Sequence, residues 1–269
     1  MRLGGAWCAR VWEPLRWMLS TPGSTATDFN TWFKLVPDPL GRNYMVMRAY
    51  ITQRAHDVSA DIKRSEVQTR VDQALWGEVN TYQWRMIAPQ NLVNLGPDVY
   101  VIVLQCHDEN LPGIPRRPTF DIAYHNGQLE AKLVRTTDPS GMDIWQHTVT
   151  PGEEIEITVR ARWADGTNVA AADGFFELYV GDALVYSLVG EKNTHDDGTP
   201  SERYPPYLKA GVYQSQFDEP TWAGKDFTWY HVGSMQSNEG DSPAALRALI
   251  DAGLAANTAQ EKMLLAWSR

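Results

Sequence analysis

Three short stretches of the chain carry side chains able to move protons and hold a charge. YPPYLKAGVYQ, residues 204–214, sets Tyr207, Lys209, Gly211 and Tyr213 at every second position, with Leu208, Ala210 and Val212 between them. Strand side chains alternate between faces, so the first set shares one face and the apolar set suits a core. KRSEVQTR, residues 63–70, repeats the pattern with Arg64, Glu66 and Gln68 on one face. VIVLQCHDE, residues 101–109, puts Gln105 and His107 on one face and turns Cys106 to the other. Each stretch alone has an ordinary reading. Tyr and Lys suit a solvated sheet face, Arg64 and Glu66 an ion pair, and His107 a structural histidine. On adjacent strands, however, the three would form one floor carrying a guanidinium, a carboxylate, two amides, an imidazole, an ammonium and two phenols.

That inventory fits the cleavage of a uronic-acid polymer by β-elimination. The proton to be removed lies α to a carboxylate and is very weakly acidic while the carboxylate keeps its charge. A cation or amide donor must therefore neutralise the charge and stabilise the enolate-like intermediate. A base takes the proton and an acid protonates the departing glycosidic oxygen. Arg64 and Gln105 suit the first task, His107 the second and Tyr213 the third. The scheme requires no metal or organic cofactor.

The motifs RSEV, QCH and YLKAGVYQ resemble, in order, the three signature motifs of the jelly-roll polysaccharide lyases, a group that includes the alginate lyases, the heparin lyase I-like enzymes and the glucuronan lyases. The resemblance spans roughly residues 40–235. The Pro205-Pro206 approach and the stretch VRARWADG are similar to the heparin lyase I-like and glucuronan lyase side. It implies a concanavalin A-like jelly-roll sandwich in which Arg64 and Gln105 hold the uronate carboxylate and His107 is the base. Tyr213 would be the acid or, in a syn elimination, both acid and base. Lys209 and Tyr207 would line a subsite, Glu66 would orient Arg64, and Gln68 and Gln214 would add substrate contacts. The chain departs from the family at Gln68-Thr69-Arg70, where an Arg-rich ending is usual, and at Cys106, where Ile, Val or an aromatic residue stands.

The elements that must position these groups are legible as short β-branched or aromatic runs. NYMVMRAYIT, EVNTYQWRMI, VYVIVLQCH, TFDIAYHN, EIEITVRARW and GFFELYVGDALVYSLVG are punctuated by Gly, Pro, Asn and Asp, and YVGDALVYS reads as a hairpin turning at Gly181-Asp182. Many strands without interleaved helices predict an all-β sandwich or jelly roll. Residues 36–236 form this domain. Residues 1–35 precede it as an extension with Trp12, Leu15 and Leu19 at helical spacing and a turn-rich linker at 20–30. Residues 237–269 follow as a helical segment, read as two short helices: one capped by Ser242 with Pro243 first, the other opened by the Thr258 and Glu261 capping box.

Composition limits the partners. The 269 residues include 24 Lys and Arg against 33 Asp and Glu, a formal charge of −9, which disfavours general nucleic-acid binding and highly sulfated substrates. The expected partner is an acidic polysaccharide. No apolar run is long enough for membrane insertion. Two cysteines, Cys8 and Cys106, supply neither a disulfide framework nor metal-ligand spacing. HDDGTPSER (195–203) could place oxygens around a structural calcium but reads more simply as an acidic solvated loop, and Arg116-Arg117 suit a basic rim or a charged turn. His56, His125, His147, His195 and His231 read as surface or packing residues.

Arg10, Glu13, Pro14 and Arg16 interrupt every apolar stretch near the N-terminus, so no signal peptide is read there, although polysaccharides lie outside cells. Extracellular action without a signal peptide would suit a depolymerase of a phage virion, assembled into the larger particle through its terminal segments. The competing reading is a non-catalytic carbohydrate-binding or adhesion module of a phage tail or other surface assembly.

Overall fold

The structure, a computed structural model, describes residues 18–19, 33–43, 45–51, 63–68, 74–93, 99–107, 118–135, 138–194, 204–214 and 227–267. Cys8, the linker at 20–30, Arg116-Arg117 and the 195–203 loop lie outside them. Among the described residues the strands are β1 (Met18–Leu19), β2 (Phe33–Pro37), β3 (Met45–Ile51), β4 (Lys63–Gln68), β5 (Asn80–Ile87), β6 (Val101–His107), β7 (Pro118–His125), β8 (Gln128–Arg135), β9 (Asp138–Thr148), β10 (Glu154–Arg162), β11 (Phe175–Val180), β12 (Ala183–Val189), β13 (Tyr207–Gln214) and β14 (Phe227–Ser237). They build two seven-stranded sheets, β1-β4-β13-β6-β7-β8-β9 and β12-β11-β10-β5-β14-β3-β2. Their pairings are antiparallel. This is the predicted all-β jelly-roll sandwich.

The core between the sheets follows from the alternation. Leu208, Ala210 and Val212 of β13, Phe120, Ile122 and Tyr124 of β7 and Leu129, Ala131 and Leu133 of β8 meet Tyr82, Trp84 and Met86 of β5 and Ile157, Val159 and Ala161 of β10. Trp84, Trp163 and Trp229 are fully buried, each large enough to contribute several kcal/mol through apolar burial, on the order of 2–3. β6 breaks strict alternation: Val101, Val103, Leu104 and Cys106 all join the core, with a register shift against β7 between Ile102 and Leu104. That irregularity lets a nearly continuous apolar run end with Gln105 and His107 on the opposite face.

The C-terminal region departs from expectation. A single 25-residue helix, Pro243–Trp267, replaces the two short ones. Asn257 and Thr258 are weak helix formers, yet no proline stands there to break the ladder, and Ala, Gln, Glu, Lys and Leu surround them. Ser242 caps it as predicted, accepting from the Ala245 amide at 3.2 Å. Leu246, Ile250 and Leu254 pack on Val46, Ile87 and Val232 of the second sheet. Gly233 permits this approach, because a Cβ there would lie 3.1 Å from Ile250 Cγ2. Near the other end, Met18 and Leu19 are strand residues paired with Gln68 and Val67, so the edge of β4 overrides their helical spacing.

Candidate active site

β13 lies between β4 and β6, and the second sheet fixes it from below at two points. Trp163 Nε1 donates to Tyr82 Oη at 2.8 Å, and Tyr82 Oη donates to the Pro206 carbonyl at 2.7 Å, holding the entry to the strand. Further along, His231 Nε2 lies 3.2 Å from the Gly211 carbonyl oxygen. The carbonyl can only accept, so His231 carries its proton on Nε2. Burial pushes the His231 pKa down to about 4, against a smaller upward effect of that hydrogen bond. The imidazole is therefore a neutral strut. Gly211 has φ 152°, within the range that favours glycine, and β13 shifts register against β6 between Ala210 and Tyr213.

The register brings the predicted groups onto one face, the one pointing away from the core. Tyr207 stands opposite His107 and Lys209 opposite Gln105 on the β6 side. On the β4 side Lys209, Gly211 and Tyr213 stand opposite Gln68, Glu66 and Arg64. Although this face points away from the core, Glu66, Gln105, His107, Tyr207 and Lys209 are all buried, and among the described side chains on it Tyr213 is the partly exposed one. The floor is thus recessed. The His107 and Tyr207 rings are tilted with centroids 6.0 Å apart, and Lys209 Nζ lies 5.6 Å from the Tyr207 centroid.

One placement adds to the sequence reading and one corrects it. Glu66, expected to orient Arg64, accepts a 2.5 Å hydrogen bond from Gln105 Nε2. β4 and β6 flank β13, so this bond crosses a strand, and Gly211 leaves the backbone bare between the two side chains. Gln214, expected to touch substrate, is buried on the opposite face, in phase with Leu208, Ala210 and Val212. Strand alternation puts it on the core side. The side chains of Arg64 and Gln68 lie outside the described residues, and only their strand positions are known.

The predicted catalytic set shares a face but spreads along β13 in its strand positions. Gln105 and His107 adjoin Lys209 and Tyr207, whereas Tyr213 adjoins the Arg64 position six residues along β13 from Tyr207. At about 3.3 Å per residue that is roughly 20 Å of strand.

Sequence reasoning missed the continuation of the floor beyond β6. Asp121 of β7 stands opposite Gln105, Lys132 of β8 opposite Asp121, and Asp143 of β9 opposite Lys132. Burial pushes the Asp121 pKa up to about 7; Lys132 opposes this shift and Asp143 adds to it. Lys132 Nζ is 3.7 Å from Asp143 and 4.8 Å from the Tyr100 ring centroid. His125 stacks on Tyr100 and pairs with Glu130 at 2.8 Å, and His147 pairs with Glu153 at 2.6 Å. The alternation of Thr119, Asp121, Ala123 and His125 in TFDIAYHN marks a polar face, but nothing local says that Asp121 adjoins Gln105. No group of His, Cys, Asp and Glu suited to a metal ion is found among the described residues.

A two-sheet sandwich with such a recessed polar floor is the architecture of jelly-roll enzymes acting on polysaccharides. The polysaccharide lyase family profile matches residues 36–232, and the chain belongs to that family. It is a polysaccharide lyase. An endo-β-1,4-glucuronan lyase from the fungus Trichoderma reesei is similar in structure, with 15% identity, TM-score 0.56, and coverage of 77% of this chain and 86% of that one. A family 7 alginate lyase, A1-II', in complex with substrate has 17% identity and TM-score 0.55 over 84% of this chain and 94% of its own. An alginate lyase from Pseudomonas aeruginosa has 14% identity and TM-score 0.52 over 83% and 98%. These likenesses establish the fold. A sequence search of curated proteins finds no match.

Proposed function

We propose that the enzyme cleaves a uronic-acid-containing polysaccharide by β-elimination. The observation that carries this reading is the shared recessed face of β4, β13 and β6, with Gln105, His107, Tyr207, Lys209 and Tyr213 on it and the Arg64 position opposite Tyr213. The glucuronan and alginate lyases among its structural neighbours support a uronan as the substrate class. Gln105 and Arg64 neutralise uronate carboxylates so that the proton α to the carboxylate becomes removable. The C–H electron pair becomes the new C=C bond while the glycosidic C–O bond breaks, and the departing oxygen takes up a proton.

His107 is the base and Tyr213 the acid in the two-residue version of this scheme. The separation of these residues along β13 favours a second version, syn elimination, in which the Tyr213 phenol beside Arg64 both removes and returns the proton. Gln105, His107 and Lys209 then hold the adjoining uronate. The deciding assay is ultraviolet absorbance of the unsaturated product across glucuronan, alginate and related uronans. Absorbance should rise with at least one polymer. Reducing ends appearing without it would show hydrolysis, and polymer binding without product would show an adhesion module.

A further inference from the structure

We infer that Asp121 is a substrate-contacting residue: its protonated carboxyl group donates a hydrogen bond to the uronate carboxylate held at Gln105. This rests on the uronan reading above and adds a residue to it. Four observations converge on Asp121. It stands directly opposite Gln105 on the adjacent strand, and such side chains are about 4.5–5.5 Å apart at Cβ. It faces the recessed floor, in phase with neither Phe120 nor Ile122, which are core residues. It is only 8% exposed. Finally, its carboxyl has no hydrogen-bond or ion-pair partner among the described residues, while Lys132, the nearest cation on β8, contacts Asp143 and the Tyr100 ring.

Gln105 makes the need explicit. An amide offers two N–H groups, and one of them is committed to Glu66. That leaves a single donor at a site that must neutralise a full negative charge. An ionised Asp121 would repel the incoming carboxylate, whereas a neutral one donates to it. A buried carboxylic acid kept neutral so that it can donate is an established catalytic device. The surroundings favour the neutral form, with burial holding the Asp121 pKa near 7. The charged and titratable groups around it are Lys209 on β13, His107 on β6, Glu66 on β4, Lys132 and Glu130 on β8, Asp143 on β9 and His125 on β7. An approaching anion raises its proton affinity further.

The consequence is a pH-dependent affinity read without turnover. In a Tyr213→Phe background, calorimetric binding of a short oligoglucuronate to the full chain should weaken about tenfold per pH unit above about 7. Asp121→Asn, which keeps an N–H donor and cannot ionise, should bind with similar affinity and no such slope. Asp121→Leu should bind weakly throughout. In carboxyl NMR, oligoglucuronate should move the Asp121 midpoint upward. A slope surviving in Asp121→Asn would belong to His107 and overturn the inference, as would a downward midpoint shift or the absence of oligoglucuronate binding. Binding with the Asp121 slope but no turnover of any polymer by the native chain would remove the elimination reading and leave the Asp121 contact standing. Turnover with a flat affinity would do the reverse.

Discussion

The outer faces of the two sheets both bury ionisable groups, but the first leaves one of them, Asp121, in a setting unlike any described on the second. On the second sheet the C-terminal helix lies across β5. There Arg85 meets Asp251 at 2.6 Å, Glu156 at 3.3 Å and Glu154 at 3.9 Å, while Arg247 binds Glu156 and Asp182. At Arg85 burial is the largest single effect and lowers the pKa, but the Asp251 hydrogen bond and the surrounding carboxylates together leave it raised; at Arg247 the Glu156 hydrogen bond leads the rise. Thr81 and Gln83 of the same strand donate to the Asp241 and Pro243 carbonyls at the helix start. On the first sheet Asp121 sits equally deep with its carboxyl left unbonded among the described residues. Charge that is paired on every side fastens one element to another. An ionisable group buried without such pairing is held for something that arrives later.

The largest effect that would sharpen this contrast concerns the two phenols of β13. Tyr213→Phe should lower kcat by on the order of 10²–10⁴-fold with polymer binding retained, the usual contribution of a positioned proton-transfer group. Tyr207→Phe should act mainly on KM, because Tyr207 is 3% exposed and belongs to the floor, whereas Tyr213 reaches above it. The reverse result would move the acid to the His107 end of the strand.

Next come opposite stability changes on the two faces. The pKa of Asp121 is raised on folding, so its contribution is present below about pH 4 and is lost as pH rises through about 7. Asp121→Asn should therefore stabilise the protein at pH 8, by up to roughly 4 kcal/mol. Arg85→Ala should destabilise it by about 1.5–3 kcal/mol, through loss of the charge-assisted hydrogen bonds to Asp251 and Glu156, with kcat/KM unchanged. Urea midpoints measure both. A destabilised Asp121→Asn would show that the carboxylate is a structural ion, like its counterparts across the sandwich.

The smallest effect tests the strut under β13. The pKa of His231 is lowered on folding, so the unfolded chain takes up the proton first. Stability should fall by about 3 kcal/mol as pH drops from about 6.5 to about 4. His231→Gln keeps an N–H for the Gly211 carbonyl and cannot be protonated, so it should shrink that acid loss. An unchanged slope would reject the buried neutral histidine.

β-branched and aromatic runs in β3, β5, β6, β7 and β10 made the sandwich legible in the sequence, and alternation in β4, β13 and the end of β6 made its polar face legible. β8 and β9 were less so, because QLEAKLVR is rich in Ala, Glu and Lys, and DPSGMDIWQHT opens on turn-forming residues. Partnership across strands was not legible at all. The bond between Glu66 and Gln105, the row from Lys209 through Asp121 to Lys132 and the His231 contact with Gly211 all depend on register and on sheet stacking, which no local pattern encodes. Gln214 failed for the opposite reason. It sits inside a recognisable motif, but strand phase places it on the core side.

The position of β13 has a kinetic consequence. It begins a hundred residues after β6 ends and fills the space between β4 and β6, two strands that do not pair with each other. Until it inserts, the first sheet is cut in two, and Glu66 and Gln105 have no common floor. Pairings this distant in sequence close slowly, because the entropy of the intervening loop is lost before any contact forms. In a refolding reaction the β6–β7–β8–β9 meander can pair early through short turns, whereas lyase activity must wait for the strand that joins it to β4. Return of turnover therefore marks the last insertion into the sheet, and it should lag behind the recovery of bulk β-structure.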